Sequence, residues 1–115
     1  MKITEENYWD FLTKLEGNWK GDISGKPGKG RGTYSYFGAV QNKFLRIITK
    51  AEFPPQEKNI DGEIHEDEGY FSFDKVNEKG CLRVFYSEGY VTTYELIDFG
   101  EESSWMVFER TEKEN

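Results

Sequence analysis

Hydrophobic positions near the N-terminus repeat with a helical period. They fall at i, i+3, i+4 and i+7, the spacing that puts side chains on one face of an α-helix, and they are Tyr8, Phe11, Leu12 and Leu15. Thr4 precedes them and can accept a hydrogen bond from the first turn, and Gly17 can end the helix. We predict one short amphipathic helix in the first sixteen residues.

After Gly17 the period changes from 3.6 to 2, in short aromatic and β-branched runs separated by Gly, Pro, Asn and Asp. Eight strands are predicted, at 17–24, 30–39, 43–50, 61–67, 69–75, 81–87, 90–98 and 104–111. Their connections are too short for parallel crossovers, so neighbouring strands should pair antiparallel. One helix followed by eight such strands predicts a meander barrel or a sandwich.

Two of the predicted connections are two-residue turns, Glu68-Gly69 and Glu88-Gly89. With the second turn, one face of the hairpin carries Arg83, Phe85, Ser87, Tyr90, Thr92 and Tyr94. The opposite face is comparably apolar, so the pattern does not say which one is buried.

Composition narrows the class of protein. The chain has 115 residues, enough for a single domain over 1–115, and 17% of them are aromatic, which provides core material despite a hydrophobic content of 36%. A net charge of −7 disfavours nucleic acid as a partner. The sequence shows no membrane-spanning run and no secretion signal, so we expect a cytoplasmic protein.

Reactive side chains are few. With one cysteine, Cys81, and one histidine, His65, neither a disulfide nor a cysteine-rich zinc site can form within the chain. The glycine-rich run at 25–32 lacks a following helix, so it indicates a hairpin and not a phosphate-binding loop. A solvated rim is the expectation for the acidic cluster of Glu57, Asp61, Glu63, Glu66, Asp67 and Glu68. We assign no catalytic residue.

The predicted hairpin suggests one binding arrangement. Arg83 and Tyr94 on one face of a barrel interior would suit a carboxylate, because a guanidinium offers paired donors and the phenol adds a third. The alternative is an exposed Arg83 that pairs with Glu95 or Glu109. Trp19 would pack across one open end of the barrel.

Three segments resemble one known family. Segment 11–21 contains Gly17, Trp19 and Gly21 in the spacing Gly-x-Trp-x-Gly, and it is similar to the opening of the nitrobindin-like heme-binding β-barrels, relatives of the fatty-acid-binding proteins and lipocalins. Segments 62–75 and 82–94 resemble two hairpins of that family. The resemblance implies a calycin-like, antiparallel up-and-down β-barrel of about eight strands.

The resemblance also implies heme and the handling of nitric oxide or peroxynitrite, but the chain departs from the family at two positions and in its C-terminal part. Ile23 stands where the family motif has its third glycine, and Tyr86 stands where the hairpin has histidine. The histidine that binds iron in the family lies in a C-terminal part with no counterpart here. His65 is then the one imidazole that could serve as a metal ligand.

The leading hypothesis is a non-enzymatic protein that binds a small apolar ligand, fatty-acid-like or tetrapyrrole-like, in an aromatic barrel cavity. The candidate ligand-binding residues are Trp19, Tyr34, Tyr36, Phe44, Arg46, Phe71, Phe73, Arg83, Phe85 and Tyr94. One alternative is a heme protein that handles nitric oxide or peroxynitrite, and another is a filled barrel whose acidic rim meets a basic partner. Unpaired barrel edges would favour a homodimer.

Overall fold

The computed structural model describes residues 2–101 and 104–114, with side chains as far as Thr111. The elements are α1 (Glu5–Thr13), β1 (Gly17–Gly25), β2 (Gly28–Ala39), β3 (Phe44–Phe53), β4 (Glu63–Asp74), β5 (Lys79–Tyr86), β6 (Val91–Phe99) and β7 (Met106–Glu114). The prediction of a mostly β, antiparallel, up-and-down fold with one short N-terminal helix is confirmed.

The helix begins where the sequence predicts. The Thr4 side chain accepts a hydrogen bond of 3.1 Å from the backbone N–H of Asn7, and acidic residues in the first turn complement the positive end of the helix dipole. The helix stops at Thr13, capped by Lys14, earlier than the predicted end near Gly17. Across the described residues no helix has the length and hydrophobicity to cross a membrane.

All seven strands belong to one curled sheet, and each pairs antiparallel with the next strand in sequence. The sheet forms a half-barrel. Within the described residues, β1 and β7 are its two edges and do not pair with each other. The described strands number seven and not eight.

The predicted turn at Glu68-Gly69 is wrong. The two strands that were predicted on either side of it are one strand, β4. β4 runs without interruption through this point, with Glu68 paired to Ile48 and Gly69 paired to Ile47 on β3. Gly69 is buried in the strand, and a Cβ there would lie 3.0 Å from the Arg83 carbonyl oxygen on β5. This glycine allows two neighbouring strands to approach closely, a role that sequence alone does not separate from a turn.

The turn at Glu88-Gly89 is also different from the predicted one. The backbone N–H of Gly89 donates to the Tyr86 carbonyl, and that of Tyr86 donates to the Tyr90 carbonyl, which makes a three-residue loop with Gly89 at φ 93°. Such loops need a residue in the left-handed region. The extra loop residue moves the register by one position, so Arg83 lies opposite Thr93 and Tyr94 lies opposite Leu82.

The core lies between α1 and one face of the sheet. Tyr8 and Leu12, one turn apart on the helix, are fully buried against Leu45 of β3 and Phe71 of β4. The Tyr8 hydroxyl donates a hydrogen bond of 3.0 Å to the Cys81 carbonyl on β5, so burial leaves this polar group satisfied. We call the face that carries Leu45 and Phe71 the concave face.

Candidate functional site

The helix divides the concave face into two parts. The covered half, which packs against α1, consists of Leu45, Phe71, Phe73, Leu96 and Phe108. The open half continues along the same strands beyond the helix, and it consists of Tyr34, Thr49, His65, Asp67, Tyr86, Thr92 and Tyr94. Its residues share the concave face because opposed residues of paired strands point to the same side.

The basic residues of strands β1–β6 lie on one face of the sheet. In β1–β6 the register places every Lys and Arg on the opposite, convex face, namely Lys20, Lys29, Arg31, Arg46, Lys50, Lys79 and Arg83. The concave face of β4, by contrast, carries Glu63 and Asp67 together with His65. The concave face of these six strands therefore has acidic groups and no Lys or Arg. On β7, at the edge of the sheet, Arg110 lies opposite Tyr94 and therefore on the concave side.

A cavity of about 190 Å³ opens on the concave face between the two halves. Its wall is formed by three aliphatic side chains, four side chains that carry polar groups, and one glycine: Ile47, Leu82, Val84, Thr49, Asp67, Tyr86, Tyr94 and Gly69. A wall that is mainly apolar with a few convergent polar groups is typical of small-ligand sites. We take this cavity as the candidate site.

Asp67 is the charged group of the cavity wall. It is half-buried, and burial raises the pKa of its carboxyl above the ordinary value, while a hydrogen bond from Thr49 opposes that rise. The Thr49 hydroxyl donates to Oδ2 over 3.3 Å, and among the described residues no donor reaches Oδ1. The carboxylate therefore has an acceptor oxygen available to a ligand.

Three hydroxyl groups form a chain beside Asp67. Thr92 is buried and donates a hydrogen bond of 3.0 Å to the Tyr86 hydroxyl, which lies 2.7 Å from the Tyr94 hydroxyl. Burial raises the pKa of Tyr86, so the phenol stays protonated at neutral pH. Because each hydroxyl both donates and accepts, the chain can adjust its direction to a ligand.

His65 lies further out on the open half, between two carboxylates. Its Nε2 is 2.7 Å from Glu63 and its Nδ1 is 2.5 Å from Glu88. The hydrogen bonds to Glu63, the larger cause, and to Glu88 raise the pKa of His65, because a doubly protonated ring can donate to both carboxylates. Iron would have to displace one of the two carboxylates, so His65 as it stands does not fit an axial heme ligand.

In the described part of the chain, no three or more His, Cys, Asp and Glu side chains are arranged to hold a metal ion.

Three of the predicted ligand-binding residues lie on the convex face. Arg46 forms a two-point contact with Glu68, at 2.8 and 3.1 Å, and its guanidinium lies 5.2 Å from the ring centre of Phe37. Arg83 lies 5.7 Å from the ring centre of Phe85 on the same face. The predicted Arg83 and Tyr94 anchor for a carboxylate is therefore wrong, because the two side chains lie on opposite faces of the sheet.

The other predicted residues are divided between the two halves and one edge. Tyr36, Phe71 and Phe73 pack in or against the core, whereas Tyr34 and Tyr94 are on the open half. Phe44 borders a separate cleft of about 650 Å³ beside α1, which it shares with Trp9, Phe73 and charged side chains of both signs.

Trp19 on β1 lies opposite Tyr34, and 51% of its surface is exposed. Its Nε1 donates to the Leu15 carbonyl, so the ring is held beside the open half.

Sequence reasoning missed Asp67, Thr49, Tyr86 and Thr92 as site residues. Asp67 was expected in a solvated acidic rim, yet it is half-buried in the cavity wall, and Glu68 is ion-paired to Arg46. The signal that could have found Asp67 is the alternation His65, Asp67, Gly69, Phe71, Phe73, which keeps a period of two through the supposed turn.

Comparison with known proteins does not identify the chain, since no family model, curated protein or solved structure matches it.

Proposed function

We propose that this is a non-enzymatic protein that binds a small molecule on the open half of its concave face. The observation that carries the proposal is the cavity of about 190 Å³, in which the polar groups of Asp67, Tyr86 and Tyr94 lie among aliphatic side chains. A surface that served only to close the core would place apolar side chains here, as it does in the covered half. The ligand would take the position that α1 takes over the covered half.

The proposal keeps the small apolar ligand that the aromatic strands and the family resemblance suggest. It drops Arg83 as an anchor for a fatty-acid or propionate carboxylate, because this side chain lies on the convex face. It assigns no iron site, because both ring nitrogens of His65 face carboxylates. The resemblance to nitrobindin-like proteins stays a hypothesis about descent.

A filled interaction module is less well supported. That alternative requires an interior without a cavity, whereas the described part of the sheet has one on the concave face.

Homodimerisation remains a separate prediction, which rests on the two unpaired edges of the described sheet. A chain of 13.5 kDa should elute at about 27 kDa by light scattering if two copies pair, and a mass near 13.5 kDa would reject the dimer.

The experiment is a thermal-shift and tryptophan-fluorescence screen with three probes: a medium-chain fatty acid, hemin and a neutral small aromatic alcohol. A ligand present at about 100 times its Kd stabilises a folded protein by about 2.7 kcal/mol, so it should raise Tm by several degrees. Trp19→Ala should weaken the response, since its ring borders the open half. Phe85→Ala is the matched control on the convex face, with 42% of the side chain exposed.

No Tm shift and no fluorescence change with any probe would count against the proposal. So would a response that survives Trp19→Ala and is lost in Phe85→Ala, because binding would then occur on the convex face.

A further inference from the structure

The cavity of the concave face has one charged side chain in its wall. Asp67 is that side chain, and the groups around it are hydroxyls, aliphatic side chains and a glycine. Its hydrogen-bond donor is the neutral hydroxyl of Thr49, so its negative charge is not balanced within the wall. A half-buried, uncompensated carboxylate costs folding free energy, and a bound cation would reduce that cost.

Within β1–β6, no Lys or Arg of the concave face supplies the cation. Each Lys and Arg of β1–β6 lies on the other side of the sheet, where several are paired, as Arg46 is with Glu68. Arg110, opposite Tyr94 on the concave side of the edge strand β7, is exposed and lies outside the cavity wall. His65, further out, attracts the Asp67 charge, but it is held between Glu63 and Glu88, and the Glu88 carboxylate opposes that attraction.

The groups next to Asp67 suit an ammonium ion. The Tyr86 and Tyr94 hydroxyl oxygens, 2.7 Å apart, can accept hydrogen bonds from it, as can Oδ1 of Asp67. Leu82, Val84 and the aromatic rings offer an apolar wall for the body of the ligand. At about 190 Å³ the cavity is below the ~300–1,000 Å³ of drug-sized pockets, so the ligand must be small.

We propose that this cavity binds a small organic cation, an ammonium group on a compact apolar or aromatic body, with Asp67 as its counter-ion. The inference rests on the proposed function and gives it a ligand class. It also disfavours a carboxylate ligand, because a second negative charge beside Asp67 would be repelled and the concave-side Arg110 lies outside the cavity wall.

The test compares three probes of nearly the same size and different charge: 2-phenylethylamine, 2-phenylethanol and 3-phenylpropionate, titrated by calorimetry at neutral pH and low salt. We expect the amine to bind best, by about tenfold over the alcohol, the size of one charge-assisted hydrogen bond. The carboxylate should bind worst. The wild-type series alone decides between the charge classes, whether or not a variant folds.

The decisive variant is Asp67→Asn, which keeps the shape of the side chain and removes its charge. It should lower amine affinity about tenfold and leave affinity for the alcohol within about twofold. Glu66→Gln is the matched control, because it makes the same charge change at the neighbouring, exposed position on the convex face. Circular dichroism checks that both variants are folded.

Each result has one meaning. Equal or better binding of the alcohol or the carboxylate, or an amine affinity unchanged in Asp67→Asn, overturns the cation inference and leaves small-molecule binding in place. If none of the three probes binds, the cation inference also fails. The general proposal then stands or falls on the separate screen with fatty acid, hemin and aromatic alcohol.

Discussion

The covered and open halves of the concave face are built from the same strands and differ in chemistry. On β4, Phe71 lies under the helix, and Asp67, four residues earlier on the same face, lies beyond it. On β3 the corresponding pair is Leu45 and Thr49. On each strand the side chains thus change from apolar to polar within four residues, at the point where the helix stops covering the sheet.

This difference separates two uses of one surface. Under α1 water is excluded, so the side chains are apolar and the one buried phenol, Tyr8, has a carbonyl partner. Beyond α1 the strands carry hydroxyl groups and a carboxylate, and these groups can form further hydrogen bonds with a ligand. Substitutions in the covered half should therefore change stability most, and substitutions in the open half should change ligand binding more than stability.

The largest effect is expected for Leu12→Ala, which opens a cavity under the helix. Removal of a buried leucine side chain costs about 2–5 kcal/mol, a large part of the ~5–15 kcal/mol that stabilises a domain. Urea unfolding followed by circular dichroism measures the loss. Val76→Ala, at a loop position 90% exposed, should stay within about 0.5 kcal/mol. Equal losses in the two variants would contradict the placement of the core.

Gly80→Ala should have the next largest effect. A Cβ at this position would overlap the Tyr8 ring, so the helix must shift, at a cost of about 1–3 kcal/mol. Gly21→Ala is the matched control in β1, because a Cβ there meets no atom within 4 Å. The two midpoints of urea unfolding are compared. A Gly80→Ala variant as stable as Gly21→Ala would show that α1 does not pack closely on β5.

A smaller effect is expected in the open half from Tyr86→Phe. The substitution leaves the buried Thr92 hydroxyl without its acceptor and should cost about 1–2 kcal/mol. Tyr34→Phe, on the same face, removes a hydroxyl for which the structure gives no hydrogen bond, so its unfolding free energy should change little. If Tyr34→Phe is the more damaging, the hydroxyl chain is not what organises the open half.

The smallest effect is a pH dependence from His65. Its pKa is raised in the folded state, so its stabilisation is present below the ordinary value of about 6.5 and is lost as pH rises through the folded pKa. Exposed ion pairs contribute less than about 1 kcal/mol, so Tm should fall only slightly over this range.

His65 is the one histidine of the chain, so its proton NMR titration is unambiguous. Glu63→Gln and Glu88→Gln should each lower the measured pKa, whereas Glu66→Gln, on the convex face, should leave it nearly unchanged. An unshifted pKa of His65 in the wild type would contradict its hydrogen bonds to Glu63 and Glu88.

Local patterns predicted the elements better than the site. The helix and its Thr4 cap follow from short-range spacing, and the antiparallel order follows from short connections, so both could be derived from sequence. The site depends on strand register. One additional residue in the loop before Gly89 moved Tyr94 to the face opposite Arg83, because a slip of one residue reverses every side chain of a strand.

Gly69 shows a second limit. In sequence, Glu-Gly between two alternating segments indicates a hairpin turn, and the decisive fact, close approach of β4 to β5 at this glycine, is a tertiary one. If Gly69 is taken as a strand residue, the two predicted strands become one and Asp67 lies on the same face as Phe71.

The hydrogen bond between Tyr8 and Cys81 has a consequence for synthesis on the ribosome. Each strand pairs with the one made just before it, so hairpins can form as the chain emerges, but α1 is made before all the strands it packs on and its partner Cys81 comes 73 residues later. At ~5–20 residues per second, the apolar side of the helix waits about 4–15 s before β5 exists to receive it. β3 and β4 emerge earlier and can cover part of the hydrophobic stripe of the helix, but the part that packs on β5 stays exposed until then, as is typical of segments that chaperones bind.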